Sequence, residues 1–366
     1  MPANTPLHQL AENGQSVWID FLSRALLRGG ELARMVREDA VTGVTSNPTI
    51  FAKALSDGDA YDEQIGTSEG DAMSVFFALA MRDVTTACDL LRPISERTEA
   101  GDGYVSIEVD PNLAHDTEGT IAQATHFHEA IDRPNLLVKI PATDAGVPAI
   151  EEMTARGYAI NVTLIFSLTR HHQVAEAYLR GLERLVASGG DPGRVHSVAS
   201  FFVSRVDSET DRRLAETGRE DLKGRLGIAN AKLAYQQYKA LFRGERWDDL
   251  ALRGATAQRC LWASTSVKDP SLRDTLYVEE LIGPETISTM PEETIRAFQA
   301  HGRVEPRLEV DLDEAQYLFN KLYAAGVDYD EVVATLEREG IEKFVASVER
   351  LQDHIRANRR ALAAAA

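Results

Sequence analysis

Eight short runs rich in Val, Ile, Phe and Thr recur along the chain: VWIDF (17–21), TGVTSNPTIF (42–51), YVSIEVDP (104–111), NLLVKIPA (135–142), INVTLIFS (160–167), SVASFFVSR (197–205), QRCLWAST (258–265) and, more weakly, LYVEELIG (276–283). Several are almost unbroken apolar stretches rather than alternating ones, as strands buried on both faces of a parallel sheet are. Segments of helical character lie between most of them, at 22–38, 115–132, 144–157, 168–188 and 208–243. Strand followed by helix, repeated eight times, predicts an α/β fold of the closed (β/α)8 TIM-barrel kind rather than an open doubly wound sheet. Residues 52–100 hold more than one helix's worth of sequence, which predicts inserted helices after the second strand. From 312 onward, DEAQYLFNKLYAAG, YDEVVATLEREG and IEKFVASVERLQDHIRANRRAL predict two or three amphipathic helices packed on the barrel. No linker or low-complexity segment interrupts 17–355, so 1–366 is expected to be one domain, with the barrel over about 17–300 and the C-terminal helices over about 312–360.

Polar residues cluster toward the C-terminal ends of the first seven runs: Asp20, Asn47, Glu108 with Asp110, Lys139, Asn161 with Thr163, Ser200 with Arg205, and Ser264. The strand C-termini of a barrel converge on one face, where barrel enzymes place their chemistry. Residues far apart in sequence are therefore expected to share one pocket.

Composition narrows the partners. At 366 residues, 44% hydrophobic and 26% charged, the chain can form one large core. A formal net charge of −18 argues against sequence-independent nucleic-acid binding, which needs Lys and Arg to neutralise phosphates. A phosphorylated small molecule is still admissible where a few cations are placed locally. The two cysteines, Cys88 and Cys260, form no CxxC or zinc-ligand spacing, which suits a reducing, cytoplasmic setting. The polar start MPANTPLHQLAENGQ and the absence of a long apolar run predict neither signal peptide nor membrane span.

Lys139 interrupts the apolar run Leu136-Leu137-Val138-Lys139-Ile140-Pro141. Desolvation lowers a lysine's pKa and frees its amine, which can attack a ketone to form an iminium, an electron sink for breaking a neighbouring carbon–carbon bond. The plainer alternative is a strand-end lysine that snorkels to water or pairs with a carboxylate. Asp20 and Glu108, both in apolar strand context, are the acid–base candidates; either could instead be the salt-bridge partner of Lys139 or a helix cap. Asn47, in Thr-Ser-Asn-Pro-Thr, reads as a turn before a helix, and the same turn would hold its amide for a substrate hydroxyl. Asn161, Thr163 and Ser200 are, taken singly, ordinary strand residues.

Other patterns carry no function. DGDAYDEQIGTSE lacks EF-hand spacing, His126-Phe-His128 and His171-His172 are not HExxH, and no glycine-rich dinucleotide or nucleotide phosphate loop is present.

GVTSNPTIF, VSIEVDP, NLLVKIPAT, INVTLIFS, SVASFFVSRVD and WASTSVKDP, in this order over residues 17–290, resemble the transaldolase family, most of all its actinobacterial branch. The resemblance implies that Lys139 is the Schiff-base lysine and Asp20 the acid–base for carbon–carbon cleavage. It also implies that Glu108 acts through a water with Thr163 in carbinolamine dehydration. Asn47, Asn161 and Ser200 would hold donor hydroxyls, and Arg205 the substrate phosphate. Better-known branches carry an arginine where this chain has Ser266; Lys268, with the hydroxyls of Ser264 and Ser266, is the candidate for the second phosphate contact, the alternative being a solvated lysine in a Lys-Asp-Pro turn. The implied reaction moves a dihydroxyacetone unit from fructose 6-phosphate or sedoheptulose 7-phosphate to glyceraldehyde 3-phosphate or erythrose 4-phosphate. It calls for no metal and no organic cofactor, because the lysine supplies the electron sink.

Two rivals stand beside it. A related fructose-6-phosphate aldolase would release dihydroxyacetone by hydrolysis, but such enzymes are shorter and lack the residue matching Glu108. A non-catalytic sugar-phosphate-binding barrel would have no need to keep Lys139 and Asp20. A monomer or a homodimer is expected in either case.

Overall fold

In the computed structural model, which describes residues 5–365, eight parallel strands close on themselves: Gln15–Ile19 (β1), Val41–Val44 (β2), Val105–Glu108 (β3), Leu136–Pro141 (β4), Ile160–Ile165 (β5), Ser197–Phe202 (β6), Arg259–Ala263 (β7) and Thr286–Met290 (β8). β8 returns to pair with β1, Val17 lying opposite Ser288 and Ile19 opposite Met290. Helices Pro48–Ser56, Asp62–Thr67 and Ala72–Arg97 follow β2, as its long following segment predicts.

The last strand departs from the expectation. LYVEELIG forms a short helix, Leu276–Glu280, and the eighth strand is TISTM instead. Tyr277 and Val278 of this helix are buried, as are Leu281 and Ile282 just past its end, so an apolar run here served a short helix and the turn that follows it. TISTM escapes a hydrophobicity scan because three of its five residues carry hydroxyls, yet all five are buried. The helical segment predicted at 208–243 is likewise divided, into Ser204–Thr217 and Leu226–Leu241, at Gly218 and Gly224, both with positive φ.

Two layers inside the barrel explain where the polar residues lie. Trp18, Leu137, Val198, Leu261 and Ile287 are buried in one apolar cluster with Tyr104 and Ala159. Strand side chains repeat every two residues, so the next inward positions are Asp20, Lys139, Ser200, Ala263 and Thr289. An apolar plug therefore carries a polar layer directly above it, toward the C-terminal face. Gly43 belongs to the plug as a gap: a Cβ there would lie 2.4 Å from the Trp18 ring, so only glycine lets the indole fill the centre. Trp18 Nε1 donates to Asp102 at 2.8 Å, which satisfies the one polar atom of that ring. The larger cluster packs outside the barrel, between strands and helices.

The tail forms two helices, within the two or three expected: Leu312–Ala324 and the long Tyr329–Ala365, which runs through both YDEVVATLEREG and IEKFVASVERLQDHIRANRRAL. Gly340 does not end it. That glycine lies against Leu164 and Phe166, where a Cβ would already be 3.1 Å from Leu164 Cδ2, so the residue serves close approach rather than termination. Leu164 itself has φ 58 at an irregularity in β5, a conformation costing a leucine ~1–2 kcal/mol, held here under the C-terminal helix. Thr49 Oγ1 and Ser347 Oγ, 2.9 Å apart, tie the same helix to Pro48–Ser56. Among the described residues, no helix is long and apolar enough to cross a membrane.

Candidate active site

The polar layer opens into a cavity of about 520 Å³ at the C-terminal face, lined among others by Asp20, Asn47, Lys139, Ser200, Arg205 and Lys268. Lys139 stands at its floor, 4% exposed. Glu108 and Lys139 are Cα partners across β3 and β4, and Asn161 is the partner of Lys139 across β5, so three of the expected residues form one row. Lys139 Nζ lies 3.4 Å from Glu108 Oε2 and donates to the Ser46 carbonyl at 3.4 Å.

Burial pushes the Glu108 carboxyl up to about 7; Lys139 opposes the rise and the negative charge of Asp20 adds to it. Glu108 Oε2 accepts no hydrogen bond, and Thr163 Oγ1 is buried with no partner among the described residues. Such atoms normally find water or a ligand. Neither residue lines the open cavity. Both stand behind Lys139, as does Asn161.

Asp20 is fixed differently. Its backbone N–H donates to the Met290 carbonyl at 2.8 Å, and Thr45 Oγ1 donates to Oδ1 at 2.7 Å. Thr45 Oγ1 and Thr289 Oγ1 are 2.8 Å apart; since the Thr45 proton goes to Asp20, Thr289 donates here. Sequence reasoning did not single out Thr45 or Thr289. Thr45 stood two residues from Asn47 in the same string, whereas Thr289 lay in a strand that was not recognised.

Asn47 caps the helix Pro48–Ser56, its Oδ1 accepting from Ile50 N at 3.0 Å. That bond uses only the carbonyl, and the amide nitrogen keeps both protons for other acceptors. Asn161 Nδ2 donates to Ser106 Oγ at 3.0 Å, and its Oδ1 accepts from Ser200 Oγ at 2.7 Å. With its own proton committed, Ser200 Oγ presents lone pairs to the cavity.

The cations lie toward the rim. Arg205 makes no hydrogen bond or ion pair among the described residues, and its Nη1 is buried without a partner. Burial pushes its guanidinium below its ordinary pKa, an effect Asp20 and Glu108 oppose. Its Cζ sits 5.0 Å from the Phe202 ring centroid and 5.9 Å from that of Phe344. Lys268, exposed, donates to Ser266 Oγ at 2.6 Å. Ser264, at φ 57, is 2.8 Å from Ser204 Oγ through its own Oγ. A further wall comes from the C-terminal helix, through Leu336, Glu339, Lys343 and Phe344. The sequence held no signal for that wall, because an amphipathic pattern says which face is buried and not what it is buried against.

A buried lysine beside two carboxylates of different surroundings, with an unpaired arginine above, suits imine chemistry on an anionic carbonyl compound. The family model for transaldolase/fructose-6-phosphate aldolase matches residues 17–355.

The chain belongs to the transaldolase/fructose-6-phosphate aldolase family.

Members called transaldolase are similar over nearly the whole length. The protein from Saccharopolyspora erythraea is 50% identical over 364 residues, 97% of this chain and 98% of that one. The one from Thermobifida fusca is 48% identical over 361 residues, 96% and 97% of the two chains. Transaldolase 1 of Streptomyces avermitilis is 49% identical over 345 residues, 92% and 91% of the two chains. All three organisms are actinobacteria, the branch of the transaldolase family that the six strings resemble.

Proposed function

We propose that this chain is a transaldolase that carries a dihydroxyacetone unit on Lys139 between phosphorylated sugars. The observation that supports this most is the 3.4 Å approach of Lys139 Nζ to Glu108 Oε2 at the floor of a cavity that also holds Asp20. The Lys139 amine attacks the ketone carbon of a ketose phosphate such as fructose 6-phosphate or sedoheptulose 7-phosphate, giving a carbinolamine. Glu108, poised near neutrality, transfers protons through a water held with Thr163 Oγ1 as the carbinolamine loses water to become the iminium. Asp20 takes the proton of the C4 hydroxyl, the C3–C4 bond breaks, and its electron pair passes into the iminium. An aldose phosphate leaves. The resulting enamine adds to an acceptor such as glyceraldehyde 3-phosphate or erythrose 4-phosphate, Asp20 returns its proton to the new hydroxyl, and hydrolysis frees Lys139.

Asn47 Nδ2 and Ser200 hold the donor hydroxyls, and Asn161, behind them, orients Ser200 by accepting its Oγ proton. Arg205 grips the phosphate through its free guanidinium N–H groups, with Ser264, Ser266 and Lys268 completing the contact. The barrel and the C-terminal helices act as one unit, since Tyr329–Ala365 lines the cavity. A coupled assay with fructose 6-phosphate, with and without erythrose 4-phosphate, tests the reading. Turnover that needs the acceptor supports the transferase, whereas equal turnover without it would assign an aldolase.

A further inference from the structure

We infer that Phe344, on the C-terminal helix, is a positioning residue for phosphate recognition, holding the Arg205 guanidinium by its aromatic face. The inference rests on the reading of Arg205 as the phosphate ligand.

An arginine aimed at a ligand must be oriented without spending its N–H groups, because each N–H bonded to protein is one fewer for phosphate. Arg205 meets that condition: among the described residues it has no hydrogen bond and no ion pair, and Nη1 is buried without a partner. Its neighbours of defined geometry are two rings, Phe202 at 5.0 Å and Phe344 at 5.9 Å. Aromatic faces attract a guanidinium and fix its plane while leaving its edge, where the N–H bonds point, free.

The two rings come from different places. Phe202 ends β6, close to Arg205 in sequence. Phe344 arrives from far along the chain and is 2% exposed, so its ring is locked by its own packing. The helix carrying it is set in depth at Gly340, one turn earlier, where contact with Leu164 and Phe166 leaves no room for a Cβ without adjustment. It is set in position at Ser347, through Thr49. Phe344 thus sits between two fixed points, and its ring is a rigid support.

The test uses the full-length protein and two non-aromatic replacements of similar bulk, Phe344→Leu and Phe344→Met, so that a folding failure in one leaves the other. Phe344→Tyr keeps the face. Val348→Ala loosens the same helix at a buried site that does not line the cavity. Arg205→Ala reports on the phosphate reading itself. For each, kcat and KM are measured with fructose 6-phosphate and erythrose 4-phosphate, together with the inhibition constant of inorganic phosphate. Loss of the face is expected to raise KM and the phosphate inhibition constant together by ~2- to 30-fold, the worth of one cation–π contact, with kcat changed little. Phe344→Tyr should restore both, and Val348→Ala should move neither. Unchanged phosphate inhibition in Phe344→Leu and Phe344→Met, with Arg205→Ala impaired, would overturn the role of Phe344 and leave that of Arg205 standing. An equal shift in Val348→Ala, or failure of Phe344→Tyr to restore, would overturn it too. Unchanged phosphate inhibition in Arg205→Ala would remove the phosphate reading and this inference with it.

Discussion

Glu108 and Lys139 face each other across adjacent strands, Oε2 and Nζ 3.4 Å apart, with side chains only 4% and 5% exposed. Burying two such groups costs more than their attraction returns unless further contacts compensate. Here the Ser46 carbonyl accepts one Lys139 proton, while one Glu108 oxygen is left without a hydrogen bond. The pair is under-satisfied, which leaves Glu108 Oε2 able to accept a further hydrogen bond.

Borohydride added with fructose 6-phosphate should attach a three-carbon unit to Lys139. Peptide mass mapping that places the label on another lysine would discard the assignment. Lys139→Arg should fold but neither label nor turn over, because a guanidinium stays protonated and forms no imine.

The Glu108 carboxyl, raised to about 7, makes folding depend on pH in an unusual direction. The folded protein keeps this proton between the ordinary carboxyl value of 4.5 and about 7, where the unfolded chain has lost it. The stability this group contributes is therefore fully present below that window and is lost as pH rises through it. Glu108→Gln should flatten the fall, so that its melting temperature gains on the wild type between about pH 5 and 7. The same variant should lose an ionisation near 7 from its pH–rate profile. A melting-temperature difference constant across that range would contradict the raised value.

Asp20→Asn should still trap the imine yet slow carbon–carbon cleavage by roughly 10²–10⁴-fold, the usual worth of a positioned acid–base group. Thr45→Val, which removes the donor to Asp20 Oδ1, should cause a smaller loss in the same step. Single-turnover measurement of aldose phosphate release distinguishes the two steps. A near-native rate in Asp20→Asn would move the base elsewhere.

Lys268→Ala should raise KM for phosphorylated donor and acceptor by about tenfold, near the value of one charge-assisted hydrogen bond of ~1.4 kcal/mol. Unphosphorylated glyceraldehyde should be used as well as before. Equal losses on both kinds of acceptor would take Lys268 out of phosphate binding.

Most of the barrel was legible because a strand buried on both faces must be apolar, and because a single polar residue in such a run, such as Lys139, stands out. β8 was not legible for the complementary reason. Thr286 and Thr289 are buried by forming hydrogen bonds, to the Gly283 carbonyl and with Thr45, and hydrophobicity does not register a satisfied polar residue. The row of Glu108, Lys139 and Asn161 was readable from strand ends and family strings together. The contribution of Leu336, Lys343 and Phe344 was not, because it depends on where a long helix crosses the barrel mouth.

Closure of β8 onto β1 has a consequence for synthesis. β1 leaves the ribosome well before Thr286–Met290, so its outer edge waits for its partner while the residues between them are made. Until then β1 exposes a row of unpaired N–H and C=O groups, the kind of edge that invites pairing with another chain. A nascent chain stalled before residue 286 would carry two such edges, one on Gln15–Ile19 and one on Arg259–Ala263. Ribosome stalling in the middle of this message should therefore yield aggregation-prone fragments rather than partly active enzyme.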